Sequence, residues 1–246
     1  MDFGLDTGAA YMRVLEDWQG SVATNLSASS NTGFKGRTFA VEGTEPRSPG
    51  TRAPGSGDIS LPQSRTVRNY AVGESRPTGN PLDLAVQGGG FFALLTPEGD
   101  TVYTRDGSFL RNAEGTLVSK QGYTVVGEEG PLTLPLEDGP IAMLPDGTIT
   151  QNDQKSGRIT LFEFAEPVKL VEHGKHHFSD PDDEAGLRPA AGSKILQGYL
   201  ESSNVEPLKE MVNMIAISRS YEAAQKLITT VDELKGKTIQ TLGNPV

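Results

Sequence analysis

The 246-residue chain contains no cysteine. Disulfides, thiolate metal sites and a cysteine nucleophile are therefore excluded, although the compartment is not fixed by this. It also has no run near the roughly 18 consecutive apolar residues of a membrane helix, so no membrane insertion is expected. Basic charge is in deficit, with 22 Lys and Arg against 32 Asp and Glu, a formal net charge of -10. A nucleic-acid binder needs a clustered basic face, and none is present. The first residues, Met1-Asp2-Phe3-Gly4-Leu5-Asp6, lack the basic and apolar blocks of a cleaved secretory signal. Export by that route is not expected.

Turn formers, by contrast, are abundant: 29 Gly and 16 Pro. They concentrate between short alternating apolar runs, which points to a β-rich middle. Acidic-Gly pairs at Glu98-Gly99, Asp106-Gly107, Glu114-Gly115, Asp138-Gly139 and Asp146-Gly147 punctuate those runs. Glycine takes a positive φ at little steric cost, so such pairs mark hairpins. The middle, residues 78–203, is expected to be an antiparallel β domain. Phe91, Phe92, Tyr103, Phe109 and Phe162 are its expected core.

The two ends carry a helical period instead. From Leu5 to about Leu26 a stripe of Tyr11, Leu15, Trp18, Val22 and Leu26 recurs at steps of three and four. From Asn204 to Val246 a longer seam comprises Leu208, Met211, Ile215, Ile217, Tyr221, Ala224, Ile228, Val231, Leu234, Thr238 and Leu242, with a single step of two. At ~1.5 Å per residue that helix is about 50 Å long, more than its own domain can readily cover. The predicted fold class is α+β, with the terminal helices forming a coiled-coil-like pair around the central β domain. Its segments are an N-terminal helical part at 1–40, a Gly/Pro-rich connector at 41–77, the β domain at 78–203 and the C-terminal helix at 204–246. Apolar seams at both ends imply assembly with other subunits; folding back onto the β domain is the alternative.

Chemistry-bearing motifs are sparse. His173-Gly174-Lys175-His176-His177 is the only concentration of imidazoles, and its polar flanks suggest a solvated loop rather than a zinc site. Asp180-Pro181-Asp182-Asp183-Glu184 lacks the ligand spacing of a calcium loop. Gly88-Gly89-Gly90 is followed by strand-like residues rather than Lys-Ser/Thr and a helix, so it reads as a turn. No nucleophile elbow, metalloprotease motif or dinucleotide fingerprint occurs. Neither an enzyme nor a cofactor is expected.

Three segments in order carry a family resemblance. They are Asn25-Leu26-Ser27-Ala28-Ser29-Ser30-Asn31-Thr32-Gly33-Phe34-Lys35, then Thr78 to Phe92 with Tyr103-Thr104-Arg105-Asp106-Gly107-Ser108-Phe109 behind it, then Gln197-Gly198-Tyr199-Leu200-Glu201-Ser202-Ser203-Asn204-Val205. The chain resembles flagellar rod and hook-basal-body proteins. That resemblance implies an axial structural subunit of the basal body, whose helices form an inner layer and whose β domain lies outside. It also implies rod and hook-basal-body partners, in homo- and hetero-oligomeric contacts, and passage through the flagellar type III export apparatus. Ala28 stands where the family has a second Asn. Within the family the short connector and the C-terminal ending look more like a proximal than a distal rod subunit. Outside it, the competing readings are a secreted oligomeric β-rich binding module and a cell-wall hydrolase. The implied assembly interface is Tyr11, Leu15, Trp18, Val22, Leu26, Leu208, Met211, Ile215, Tyr221, Ala224, Ile228 and Val231.

Overall fold

Three of the acidic-Gly pairs close hairpins. Gly99, Gly115 and Gly147 take φ of 96°, 86° and 89°, a region that a side chain strains. The computed structural model describes residues 3–43, 62–137, 139–174 and 176–243. Asp138, Lys175, the part of the expected connector at 44–61, and residues 244–246 lie outside the described residues, as do the side chains of Thr238 and Leu242.

The elements run α1 (Phe3–Ser27), β1 (Arg37–Gly43), β2 (Pro62–Arg68), β3 (Ser75–Pro77), β4 (Leu84–Gln87), β5 (Phe91–Leu95), β6 (Thr101–Thr104), β7 (Phe109–Arg111), β8 (Leu117–Ser119) and β9 (Thr124–Gly127). They continue with β10 (Gly130–Pro131), β11 (Ile141–Met143), β12 (Thr148–Gln151), β13 (Gln154–Arg158), β14 (Leu161–Phe164), a single 3-10 turn (Pro167–Lys169), β15 (Val171–His173), β16 (His177–Ser179), β17 (Leu187–Pro189), β18 (Lys194–Gln197), β19 (Tyr199–Glu201) and α2 (Pro207–Gly243). The class is α+β with antiparallel pairing in the middle.

The chain divides into two units, one of residues 28–36 and 68–205, the other of residues 1–27, 37–67 and 206–246. In the first, the main sheet has the order β15-β16-β6-β5-β9-β8-β7, with β14 also paired to β5. Strand β5 is apolar without a break, Phe91-Phe92-Ala93-Leu94-Leu95, because both faces of the sheet are covered. Its alternation sends Phe92 and Leu94 into one core with Leu84, Val86, Val102 and Phe109. Phe91 and Ala93 enter a second core with Tyr103, Phe164 and Phe178, and Phe162 packs at its edge. Edge-on ring contacts order that second core, with Tyr103 and Phe164 centroids 4.9 Å apart.

Asp106-Gly107 departs from the hairpin reading. After β6 the chain leaves its partner and β7 pairs with β8 instead. Gly107 is required by crowding: a Cβ there would lie 1.8 Å from the Leu84 carbonyl oxygen. The histidine run departs as well. His177 lies on β16 opposite Thr104 of β6 and is 5% exposed, so its ring is in the core and not in a solvated loop. Burial drives its pKa down to about 4.

In the other unit, β1 and β2 form a two-stranded sheet, so strand structure reaches into the segment expected to be connector. Helices α1 and α2 pack through Leu15, Val22 and Ile217, which are 3%, 2% and 0% exposed.

Candidate assembly interface

Leu15, Trp18 and Val22 stand at i, i+3 and i+7 of α1, on one face. Opposite them on α2 lie Met214, Ile217 and Tyr221, which share the same apolar cluster. The Tyr221 hydroxyl reaches Glu16 Oε1 at 3.4 Å. Further along α2, Ala224 is buried, while Ile228 and Val231 are half-buried. Close approach continues toward the start of α1, where a Cβ on Gly8 would lie 3.0 Å from Ile228 Cγ1.

The remaining predicted interface residues do not join this cluster. Leu208, Met211 and Ile215 are exposed at 74%, 46% and 55%, and Tyr11 is exposed too. The step of two between Ile215 and Ile217 explains the division. At ~100° per residue two positions turn the helix by about 200°, so the seam changes faces there. Val212, also exposed, belongs to the outward set. Leu26 on α1 is half-buried.

Asn25 is the polar anchor of this unit. Its Oδ1 accepts the Arg37 N–H at 2.7 Å. Its Nδ2 donates to the Arg37 carbonyl at 2.8 Å and to Glu210 Oε1 at 2.8 Å. One 2% exposed amide thus ties α1 to β1 and to α2. Beside it the Trp18 and Phe39 rings stack, with centroids 5.7 Å apart and planes 9° from parallel. Periodicity finds Leu15 and Val22 and reaches Asn25 as an alternative to Leu26 at the end of the stripe, without its polar role, and it passes over Phe39, because a strand residue carries no helical apolar signal.

A second constellation lies wholly in the β unit. Glu201 Oε1 receives Lys35 Nζ at 2.6 Å, and Oε2 receives Arg105 Nη1 at 3.1 Å, all three side chains at or below 1% exposure. Burial is the main cause that lowers the Lys35 pKa, opposed by the Glu201 charge. The Gly33 N–H donates to the Glu201 carbonyl at 2.8 Å, and the Gly36 N–H donates to Asn204 Oδ1 at 2.7 Å. Thus the motif after α1 and the motif before α2 are fastened together. Gly33 takes φ 66°, and a Cβ there would lie 2.3 Å from the Asp106 amide nitrogen.

Among the described residues no group of three His, Asp or Glu side chains is placed to hold a metal. At a cavity of about 720 Å³ between Asp146, Arg158, Phe162 and Lys194, the Asp146 carboxylate is taken up by the Thr148 amide and hydroxyl. Asp180 similarly accepts the amides of Glu184 and Ala185, which makes the acidic run a capped turn.

The described residues thus form a β unit and a helix pair in which α2 keeps one apolar face in water. Residues 85–151 match the model of the flagellar hook protein FlgE/F/G D1 domain, and residues 196–241 match that of the flagellar basal body rod FlgEFG protein C-terminal region. The chain is 32% identical over 245 residues to the flagellar basal-body rod protein FlgF of Caulobacter vibrioides, covering 99% of each. It is 33% identical over 228 residues to FlgF of Mesorhizobium japonicum, covering 91% of each. With FlgG of Agrobacterium fabrum it shares 30% over 243 residues, 87% of this chain and 89% of that one. The chain belongs to the flagellar basal-body rod protein family.

Proposed function

We propose that this chain is a structural subunit of the flagellar rod that builds, with its own copies and with other rod and hook-basal-body proteins, a tube transmitting torque. One observation carries the reading: within a rod-family chain, α2 buries one apolar face against α1 and leaves Leu208, Met211, Val212 and Ile215 in water. Each aliphatic side chain covered on assembly contributes on the order of 1.5–3 kcal/mol, and repetition along an array multiplies it. In the assembled state the helices form a coiled-coil-like pair that constitutes the assembly domain, and the strands dress it. Subunits reach their place through the flagellar type III export apparatus.

Within the family the proposal is a proximal, FlgF-like rod subunit. The near length-for-length alignment with FlgF of Caulobacter vibrioides favours it, as does the short connector. Complementation tests it: the gene should restore motility to a strain lacking FlgF and not to one lacking FlgG. Rescue of only the latter would make it distal. Absence of the tagged chain from purified basal bodies would reject the rod reading itself.

A further inference from the structure

The cavity of about 720 Å³ beside the start of β14 is built entirely from the β unit. Main-chain bonds tie its walls together. The Ile195 N–H donates to the Pro145 carbonyl at 3.0 Å, the Ala190 N–H to the Leu161 carbonyl at 2.9 Å, and the Glu128 N–H to the Arg158 carbonyl at 2.9 Å. A preformed cavity of this size is of the kind that holds a small organic molecule. Half-buried Phe162, its register partner Pro189, Pro145 and buried Ala190 give it an apolar lining.

The remaining lining carries charge. At the end of β13, Arg158 donates from Nε to the Asp146 carbonyl at 3.1 Å, which holds the guanidinium while both Nη groups stay without a protein partner among the described residues. Lys194, at the start of β18, also lines the cavity and has no ion pair among the described residues. Two carboxylates stand near, yet neither forms an ion pair with these cations. Asp146 is engaged by the Thr148 amide and hydroxyl at 3.1 and 3.0 Å, and Glu128 is exposed at the rim.

We propose that this cavity binds a small organic monocarboxylate with an apolar body. The two Nη groups of a held guanidinium match the two oxygens of a carboxylate in one plane, a fork that an ammonium cannot offer. Lys194 adds a second positive charge with little directional demand. Phe162, Pro189 and Ala190 receive the apolar body, which withdraws surface from water on both sides. Asp146 and Glu128 set the charge of the ligand. With two cations and two carboxylates in the lining, a dianion such as phosphate meets as much repulsion as attraction, whereas a monoanion gains the directed fork and the apolar contact. A chain of net charge -10 offers anions no long-range attraction, so recognition depends on these local groups. Because the cavity lies wholly in the β unit, its occupancy is independent of the helix pair and of the rod reading.

Titration of the full-length chain with N-acetylphenylalanine, followed by amide and arginine side-chain NMR shifts, tests the site. Saturable one-to-one binding is expected, with shifts at Arg158, Phe162 and Lys194. Arg111, which donates to the Pro135 carbonyl away from the cavity, should not respond. The neutral carboxamide of the same compound and inorganic phosphate should each bind about tenfold more weakly. Arg158→Gln should weaken binding about tenfold and Lys194→Gln about threefold, while Arg158→Lys, which keeps the charge and loses the fork, should fall between wild type and Arg158→Gln. Urea unfolding of each variant comes first; if loss of the Asp146 contact destabilises the Arg158 variants, exposed Lys194→Gln still reads the cavity. Equal binding of acid and carboxamide, tighter binding of phosphate, no saturation, or an affinity unchanged in every stable variant would overturn the site. An acetylated tripeptide ending in phenylalanine separates two sources of the same group. Tighter binding than N-acetylphenylalanine assigns the carboxylate to a peptide terminus, and weaker binding assigns it to a free small acid.

Discussion

Lys35 and Glu201 meet at 2.6 Å with both side chains withdrawn from water. Arg105 takes the second carboxylate oxygen, so a single anion serves two buried cations. Glu201→Gln would leave both uncompensated. Removing one member of a buried pair costs about 3–5 kcal/mol, and urea unfolding of the variant should fall by that amount. Lys35→Met, which keeps the Arg105 pair, should cost clearly less; an equal or larger loss would mean that Lys35 and not Glu201 is the hub.

Asn25 satisfies both backbone groups of Arg37 and also reaches Glu210. Asn25→Ala strands these groups, at a cost of about 1–3 kcal/mol. Faster hydrogen exchange at Arg37 and across β1, with β5 and β6 unchanged, is the expected signature. Uniform protection throughout would contradict it.

His177 gives the β unit a dependence on pH. It is buried against Tyr123, with ring centroids 4.9 Å apart, and its pKa is lowered to about 4 first by desolvation and then by His176, while Asp106 opposes the shift. Between pH 6.5 and 4 the unfolded chain binds the proton that the folded chain refuses. Stability is therefore complete above about 6.5 and falls as the pH drops to 4, by about 3 kcal/mol at ~1.4 kcal/mol per unit. His177→Gln should flatten this part of the pH profile in denaturant titrations. An unchanged slope would assign it to other groups.

Ile217 and Leu208 separate stability from assembly. Ile217 is fully buried between the helices, and Ile217→Ala should destabilise their packing by about 2–5 kcal/mol. Leu208 is 74% exposed, so Leu208→Ser should stay within about 0.5 kcal/mol of wild type in the isolated chain yet reduce incorporation into basal bodies. Normal motility at normal expression would argue against the outward face. Ile228 lies on the face turned to α1, so Ile228→Asp should block incorporation by loosening the helix pair while the β unit stays folded, which near-ultraviolet circular dichroism can follow.

Local signals in the sequence reported local structure well. Gly99, Gly115 and Gly147 are where hairpins turn because positive φ is a one-residue property, and Leu15 and Val22 are buried because helical spacing is short-range. What escaped depends on distant partners. Lys35, Arg105 and Glu201 stand in three separate motif segments that nothing in the sequence pairs, and Glu201 is 166 residues from Lys35. His177 has polar neighbours in sequence yet is placed in the core by strand pairing with Thr104. Gly107 matches a turn signal although it is demanded by the passing backbone of Leu84.

The step of two in α2 has a consequence for how such a subunit can change over time. Ile217 and Tyr221 answer to the chain's own fold, while Leu208 and Ile215 stay exposed, on the face proposed for assembly. On that proposal two constraints are written into residues 208–221 without sharing a position. A new neighbour can be accommodated by altering only the outward letters, so one helix can serve as a common spine for subunits with different addresses.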